Sequence, residues 1–130
     1  MSRRLARLSP PPSKFAAPVW AWFQHEGTAR PRPDLRGSGH LPRGTHGVRL
    51  ELALPEADVL LSDFELWHYV LNDWRIPVGG GPPGRNWEKV LDLDYRERDV
   101  AVPRRLKSIQ AIFWQAPLSS VCVVDRFVSR

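Results

Sequence analysis

Between Val59 and Trp74 the apolar residues change their spacing. Val59, Leu60 and Leu61 are consecutive, as in a buried strand, whereas Phe64, Leu66, Trp67, Val70, Leu71 and Trp74 fall on a helical period. A strand is therefore expected to run straight into an amphipathic helix. Ser62 suits the N-cap, because its hydroxyl can accept from an otherwise unpaired amide of the first turn. Glu65, three residues on, completes a capping box with it.

A second pattern is strict alternation. Over Val48–Leu54 the residues Val48, Leu50, Leu52 and Leu54 alternate with Arg49 and Glu51, which predicts a half-buried strand with the apolar set inward, ended by Pro55. In Val19–Gln24 (VWAWFQ) the alternation of Trp20 and Trp22 predicts a strand showing both indoles to one face. Ser108–Ala116 reads as a strand, and Val121–Val128 as a last strand or a short helix. Ser2–Leu8 has the length of little more than one helical turn before Pro10, Pro11 and Pro12 stop it, and such a turn needs docking to persist. A Pro/Gly-rich breaker, Pro77–Gly84, precedes a short helix Trp87–Leu91 that Asn86 is expected to cap, and Leu93–Val102 has no clear period.

These elements predict an α+β fold: an antiparallel or mixed sheet of four to five strands, one main amphipathic helix and a long Arg/Gly/Pro-rich loop from His25 to Gly47. At 130 residues the chain is expected to be a single domain, 1–130, with residues 1–17 a peripheral basic, Pro-rich segment. A loop of that length without structure of its own is usually functional or mobile.

Charge adds a candidate partner class. Nineteen basic against 14 acidic residues give a net charge of +5, which favours association with anions and says nothing of fold. The lone cysteine, Cys122, excludes a disulfide framework within the chain and suits a reduced, cytoplasmic setting. Its place in the apolar run Val121–Val124 predicts a buried, inert thiol. No apolar stretch approaches the ~20 residues of a membrane-spanning helix, and no apolar core of signal-peptide length follows Met1.

Candidate site residues come from the basic loop and from the aromatic residues. Arg30, Arg32, Asp34, Arg36, His40, Arg43 and His46 lie among Gly37, Gly39, Gly44 and Gly47, a composition that allows close approach to a phosphate and offers guanidinium forks to it. The blander account is a solvated loop, since no Walker or dinucleotide spacing is present. Trp20, Trp22, Trp67, Trp74 and Trp114 are candidates for stacking on a base or nicotinamide ring, against the ordinary role of tryptophan in a core, and Trp20 and Trp22 are the two carried into the site. His68, beside Trp67 on the main helix, is expected to be partly buried and bonded to backbone, with general-base chemistry as the sharper alternative. The four histidines lack metal-ligand spacing, so no metal is assigned, and no cofactor follows from these residues. Asp63 and Glu65 are explained by helix capping before catalysis.

The segments PDLR (Pro33–Arg36), LALPEADVLLSDFELWHYVLN (Leu52–Asn72), Trp87 in its short helix and IQAIFW (Ile109–Trp114) together resemble a bacterial family known as domain of unknown function 3841. The resemblance runs from Val19 to Arg130. Members of that family begin earlier, with a strand and helix, so the resemblance implies a chain without that first element, through either a late start or a shortened form. It implies no activity. The family's layout is loosely similar to ADP-ribosyltransferases, which cleave NAD with a glutamate on a late strand, but Ile109-Gln110-Ala111-Ile112 offers no glutamate. Three functions are carried forward: a module binding a nucleotide or nucleic acid through Arg32, Asp34, Arg36, His40 and Arg43 with Trp20, Trp22 and His68; an NAD-using enzyme or its remnant; and a protein-interaction domain.

Overall fold

The computed structural model describes residues 2–29, 33–37, 39–76, 85–95 and 103–130. Arg30, Arg32, the breaker Pro77–Gly84 and most of the aperiodic stretch before Pro103 lie outside them. The α+β class holds, and five strands among the described residues divide between two sheets. The chain forms two compact units.

The first unit comprises Met1–Val19, Pro33–Val59 and Phe113–Arg130. Its helix α1 (Ser2–Leu8) is the short turn expected, and it is docked through Leu5, which is fully buried. Strand β2 (His46–Leu52) pairs antiparallel with β5 (Val121–Val128), with Leu50 opposite Val124 and Arg49 opposite Asp125. The alternation is present, but it faces the other way. Val48 and Leu50 stand 58% and 50% exposed, beside Val124 and Val128 on the same face, while Arg49 and Glu51 are half-buried.

The reason lies in the basic loop, which is not a free connection. Arg49 pairs with Asp125 and donates to the Pro33 carbonyl at 3.3 Å. The Arg130 amide donates to the Arg36 carbonyl at 2.8 Å, Gly44 N–H donates to the Ser129 carbonyl at 3.0 Å, and the Ser129 hydroxyl donates to the Pro42 carbonyl. Gly47 is needed where the loop joins β2, because a Cβ there would lie 2.9 Å from Leu41 Cδ1 and closer still to the ring of Phe127. Loop residues therefore meet the Gly47, Arg49 and Phe127 side of the ribbon, and the valines and Leu50 are left facing outward. Cys122 shares this outward face and is exposed, which corrects the expectation of a buried thiol.

The second unit comprises Trp20–Arg32 and Leu60–Ile112. Strands β1 (Val19–Gln24), β3 (Leu60–Asp63) and β4 (Ile109–Phe113) form a sheet in the order β1-β4-β3, β3 and β4 being antiparallel. Strand β3 passes directly into α2 (Phe64–Leu71), as its change of period predicts. The helix stops at Leu71, so Trp74 lies beyond it and is 57% exposed. Among the described residues Leu66, Ile76, Val90, Ile109, Ala111 and Ile112 are the buried apolar ones here, Val90 coming from a 3-10 helix, Trp87–Leu91. Asn86 precedes that helix in a left-handed conformation without a side-chain capping bond, and its amide donates to the Ile76 carbonyl at 3.5 Å. This corrects its assignment as a side-chain cap.

Candidate functional site

The cap of α2 is Asp63, and Ser62 has another task. Asp63 Oδ1 accepts from the amides of Glu65 and Leu66 at 3.0 and 3.2 Å, satisfying two first-turn donors at once. Ser62 is fully buried in β3, where its hydroxyl accepts the Trp67 indole N–H at 3.0 Å. The second oxygen of Asp63 meets Lys107 Nζ at 2.7 Å, with both side chains over 90% buried. Lys107 also donates to the Tyr95 carbonyl at 2.8 Å. Sequence offered only proximity to a helix start for Asp63 and no pointer to Lys107, which lies 44 residues further along the chain. An acid held in three such interactions ties the helix start to Lys107.

On the β1 and α2 side of the second unit the aromatic residues form a connected row. Trp22 meets Phe64 edge-to-face at 4.8 Å and His25 at 4.9 Å. Phe64 meets His68 at 5.0 Å, and Trp20 meets Trp67 at 5.1 Å. Such contacts add to apolar burial because the positive edge of one ring meets the negative face of another. The row is only partly covered. Trp20 is 42% exposed, Trp22 and Phe64 are half-buried, and the His68 side chain is half-exposed with Nδ1 3.3 Å from the Glu65 carbonyl. The two indoles of β1 do share the face that meets α2, as their alternation predicts. Phe64 and Trp67 complete the row; Trp67 was among the aromatic candidates, whereas Phe64 was absent from them, although its helical spacing beside Leu66 marked it as part of the helix.

In the first unit Asp34 and Arg36 form a closed turn. Asp34 accepts from Arg36 Nε at 2.7 Å and Nη2 at 2.8 Å, and from the Arg36 amide at 3.1 Å. These bonds, the side-chain fork first and the backbone amide second, hold the Asp34 carboxyl well below the usual carboxylate range, and Asp34 raises the proton affinity of Arg36 in return. The PDLR motif thus reads as an Asx-type turn locked by a two-pronged ion pair. Three of the five guanidinium N–H groups of Arg36 remain for a ligand. His40 and Arg43 are exposed in the same loop, Arg32 lies outside the described residues, and no bond brings His40 or Arg43 onto Arg36. The sequence-predicted set therefore falls into two groups, Trp20, Trp22 and His68 in one unit and Asp34, Arg36, His40 and Arg43 in the other.

Gln110 of β4 stands opposite Ser62 in the ladder and is half-buried. Among the described residues, no three His, Cys, Asp or Glu side chains come together as a metal site, and no helix is long and apolar enough to cross a membrane. The model of one protein family, described as a domain of unknown function (DUF3841), matches residues 1–79, more than half of the chain. PDLR and the LLSDF and WHYVLN segments lie within the match, while Trp87 and IQAIFW lie beyond it. No curated protein and no solved structure matches the chain.

Proposed function

This chain belongs to the family of the domain of unknown function DUF3841, and we propose that it is a binding module for a nucleotide or a short single strand of nucleic acid. Bases stack on the aromatic row of β1 and α2 in the second unit, and Arg36 of the basic loop is, separately, a phosphate-binding group of the first. The observation that carries this reading is the partly exposed row itself: Trp20 offers 42% of its surface to solvent while held edge-to-face by Trp67, whose indole is anchored on Ser62. A ring already fixed in place loses little freedom on binding. Stacking of one base on an aromatic ring is worth about 1–3 kcal/mol. Arg36, kept in one orientation by Asp34, supplies the electrostatic part.

The test is a titration of wild type, Trp20→Ala and Arg36→Ala with mononucleotides, a short single strand, the matching duplex and inorganic phosphate, each at two salt concentrations. Trp20→Ala is expected to weaken single-strand and nucleotide binding roughly tenfold and leave phosphate binding unchanged. Arg36→Ala is expected to weaken all of them and flatten the salt dependence. Wild type that binds none of these ligands at low salt, or a Trp20→Ala protein that binds as well as wild type, would end the proposal.

A second reading, a protein-interaction domain, is favoured by one observation. The outward face of the β2–β5 ribbon carries Val48, Leu50, Val124 and Val128, each about half exposed, with Arg126 and His46 among them, and exposed apolar side chains rimmed by polar ones are characteristic of contact faces. The titration separates the two, since that reading expects no nucleotide binding.

A further inference from the structure

The first unit contains a cleft of about 440 Å³ that has no part in the proposed nucleotide site. Its volume lies within the range of small-molecule sites, roughly 300–1,000 Å³. Three separate stretches of chain build it: the residues after α1, the turn after β2, and the segment between β4 and β5. Pro12 and Pro55 give it stiff walls, because their backbone φ is fixed. Trp114 is 9% exposed and its indole N–H donates to the Ser9 carbonyl at 2.8 Å, so the ring is immobilised and its polar group already used. What Trp114 has left to offer a ligand is π surface. Gln115 and Ser119 add neutral hydrogen-bonding groups.

Asp58 is the one charged residue among those lining the cleft. No side-chain hydrogen bond or ion pair engages its carboxylate among the described residues, in contrast to Asp34, Asp63, Asp73, Asp92 and Asp125, each of which holds an arginine or a lysine. Asp58 and the fixed indole of Trp114 line the same cleft, so a cation that enters it finds a carboxylate to pair with. An indole and a carboxylate together favour an organic cation, the ring through its quadrupole and the acid through a charge-assisted hydrogen bond. A guanidinium suits the carboxylate better than an ammonium because it donates in a fork.

We infer that this cleft binds a guanidinium carried on an alkyl stem, with the head on Asp58 and the stem along Trp114 and the prolines. A free guanidine and an arginine side chain of a peptide share that chemistry. The experiment is calorimetric titration of the full chain with agmatine, with N-acetyl-arginine amide, and with N-acetyl-citrulline amide as the uncharged isostere. At least one of the first two is expected to bind, and at least tenfold more tightly than the citrulline compound. Agmatine alone binding identifies the source as a free guanidine, and the blocked arginine alone binding identifies it as a peptide side chain. Asp58→Asn is expected to reduce the arginine probe to the citrulline level with an unchanged melting temperature, and Ser119→Trp to remove binding by filling the cleft. Asp73→Asn, which alters an acid outside the cleft, is expected to leave affinity unchanged. Equal binding of the citrulline compound, no binding of either guanidine, an unaffected Asp58→Asn protein, or an equal loss in Asp73→Asn would each overturn the assignment.

Discussion

The β3–α2 joint and the β2–β5 ribbon carry equally regular apolar patterns and dispose of them in opposite ways. At the joint the set turns inward at Leu66, which is 8% exposed and packs in the unit that buries Ile109 and Ile112; Phe64, Trp67 and Val70 are half-buried, and only the end of the helix, Leu71, stands out at 78%. In the ribbon Leu50 and Val124 stand opposite each other in the ladder and are both half exposed. A period specifies which residues share a face. Which face is covered depends on what the rest of the chain brings to it, and here the Arg/Gly/Pro loop meets the charged side of the ribbon through Arg49, Asp125 and Phe127.

The difference can be broken most severely at Asp63. Asp63→Ala removes two capping bonds and leaves Lys107 buried without its counter-charge, so it should cost about 3–5 kcal/mol in denaturant unfolding. Asp63→Asn, which keeps a capping acceptor, should lie between that variant and wild type. A loss under about 1 kcal/mol for the alanine variant would show that the joint does not depend on this pair.

A matched pair of leucines tests the comparison directly. Leu66→Ala should cost about 3 kcal/mol, as for a buried leucine, whereas Leu50→Ala should stay within about 0.5 kcal/mol. Equal losses would mean that the outward face of the ribbon is covered in solution. The same face predicts the behaviour of Cys122, which should react with a thiol reagent in the native protein nearly as fast as after denaturation. Strong protection in the native state would contradict its exposure.

The joint was largely legible in the sequence because strand and helix are continuous in the chain and their signals are local. The strand bounds of β1 and β5, the class and the family signature were legible for the same reason. What escaped was set over distance. Ser62 and Asp63 are both good caps by type, and the choice between them is made by Trp67, which takes the Ser62 hydroxyl, and by Lys107, which draws Asp63 inward. The facing of β2 depends on Pro33, Leu41 and Asp125, none of which the alternation of Val48–Leu54 contains. Of the candidate site, Trp20 and Trp22 were identified by their spacing, while Phe64 joined them only once the helix was laid against the strand. Asp58 carries no signal at all until the fold brings it to the cleft that Trp114 also lines.

The smallest effect belongs to the exposed turn. The lowered carboxyl value of Asp34 means that the turn is stabilised by ionisation: its contribution is complete above the ordinary value of 3.8 and fades as pH falls below it toward the depressed one. Melting curves of wild type and Asp34→Asn should therefore differ slightly near neutral pH and converge on acidification. A gap that widens toward acid would reverse the sign and refute the assignment.

The hydrogen bond from the Ile76 amide to the Arg85 carbonyl, 3.3 Å long, has a use in protein engineering. With the Arg85–Asp73 ion pair at 2.9 Å it fastens both ends of the intervening segment to the second unit. Chain inserted between fastened ends is penalised chiefly through closure entropy, and doubling such a segment costs only about 0.6 kcal/mol. Residues inserted between Ile76 and Arg85 are therefore expected to leave β3, α2 and the aromatic row in place, which makes this the point at which to add an epitope or a reporter peptide.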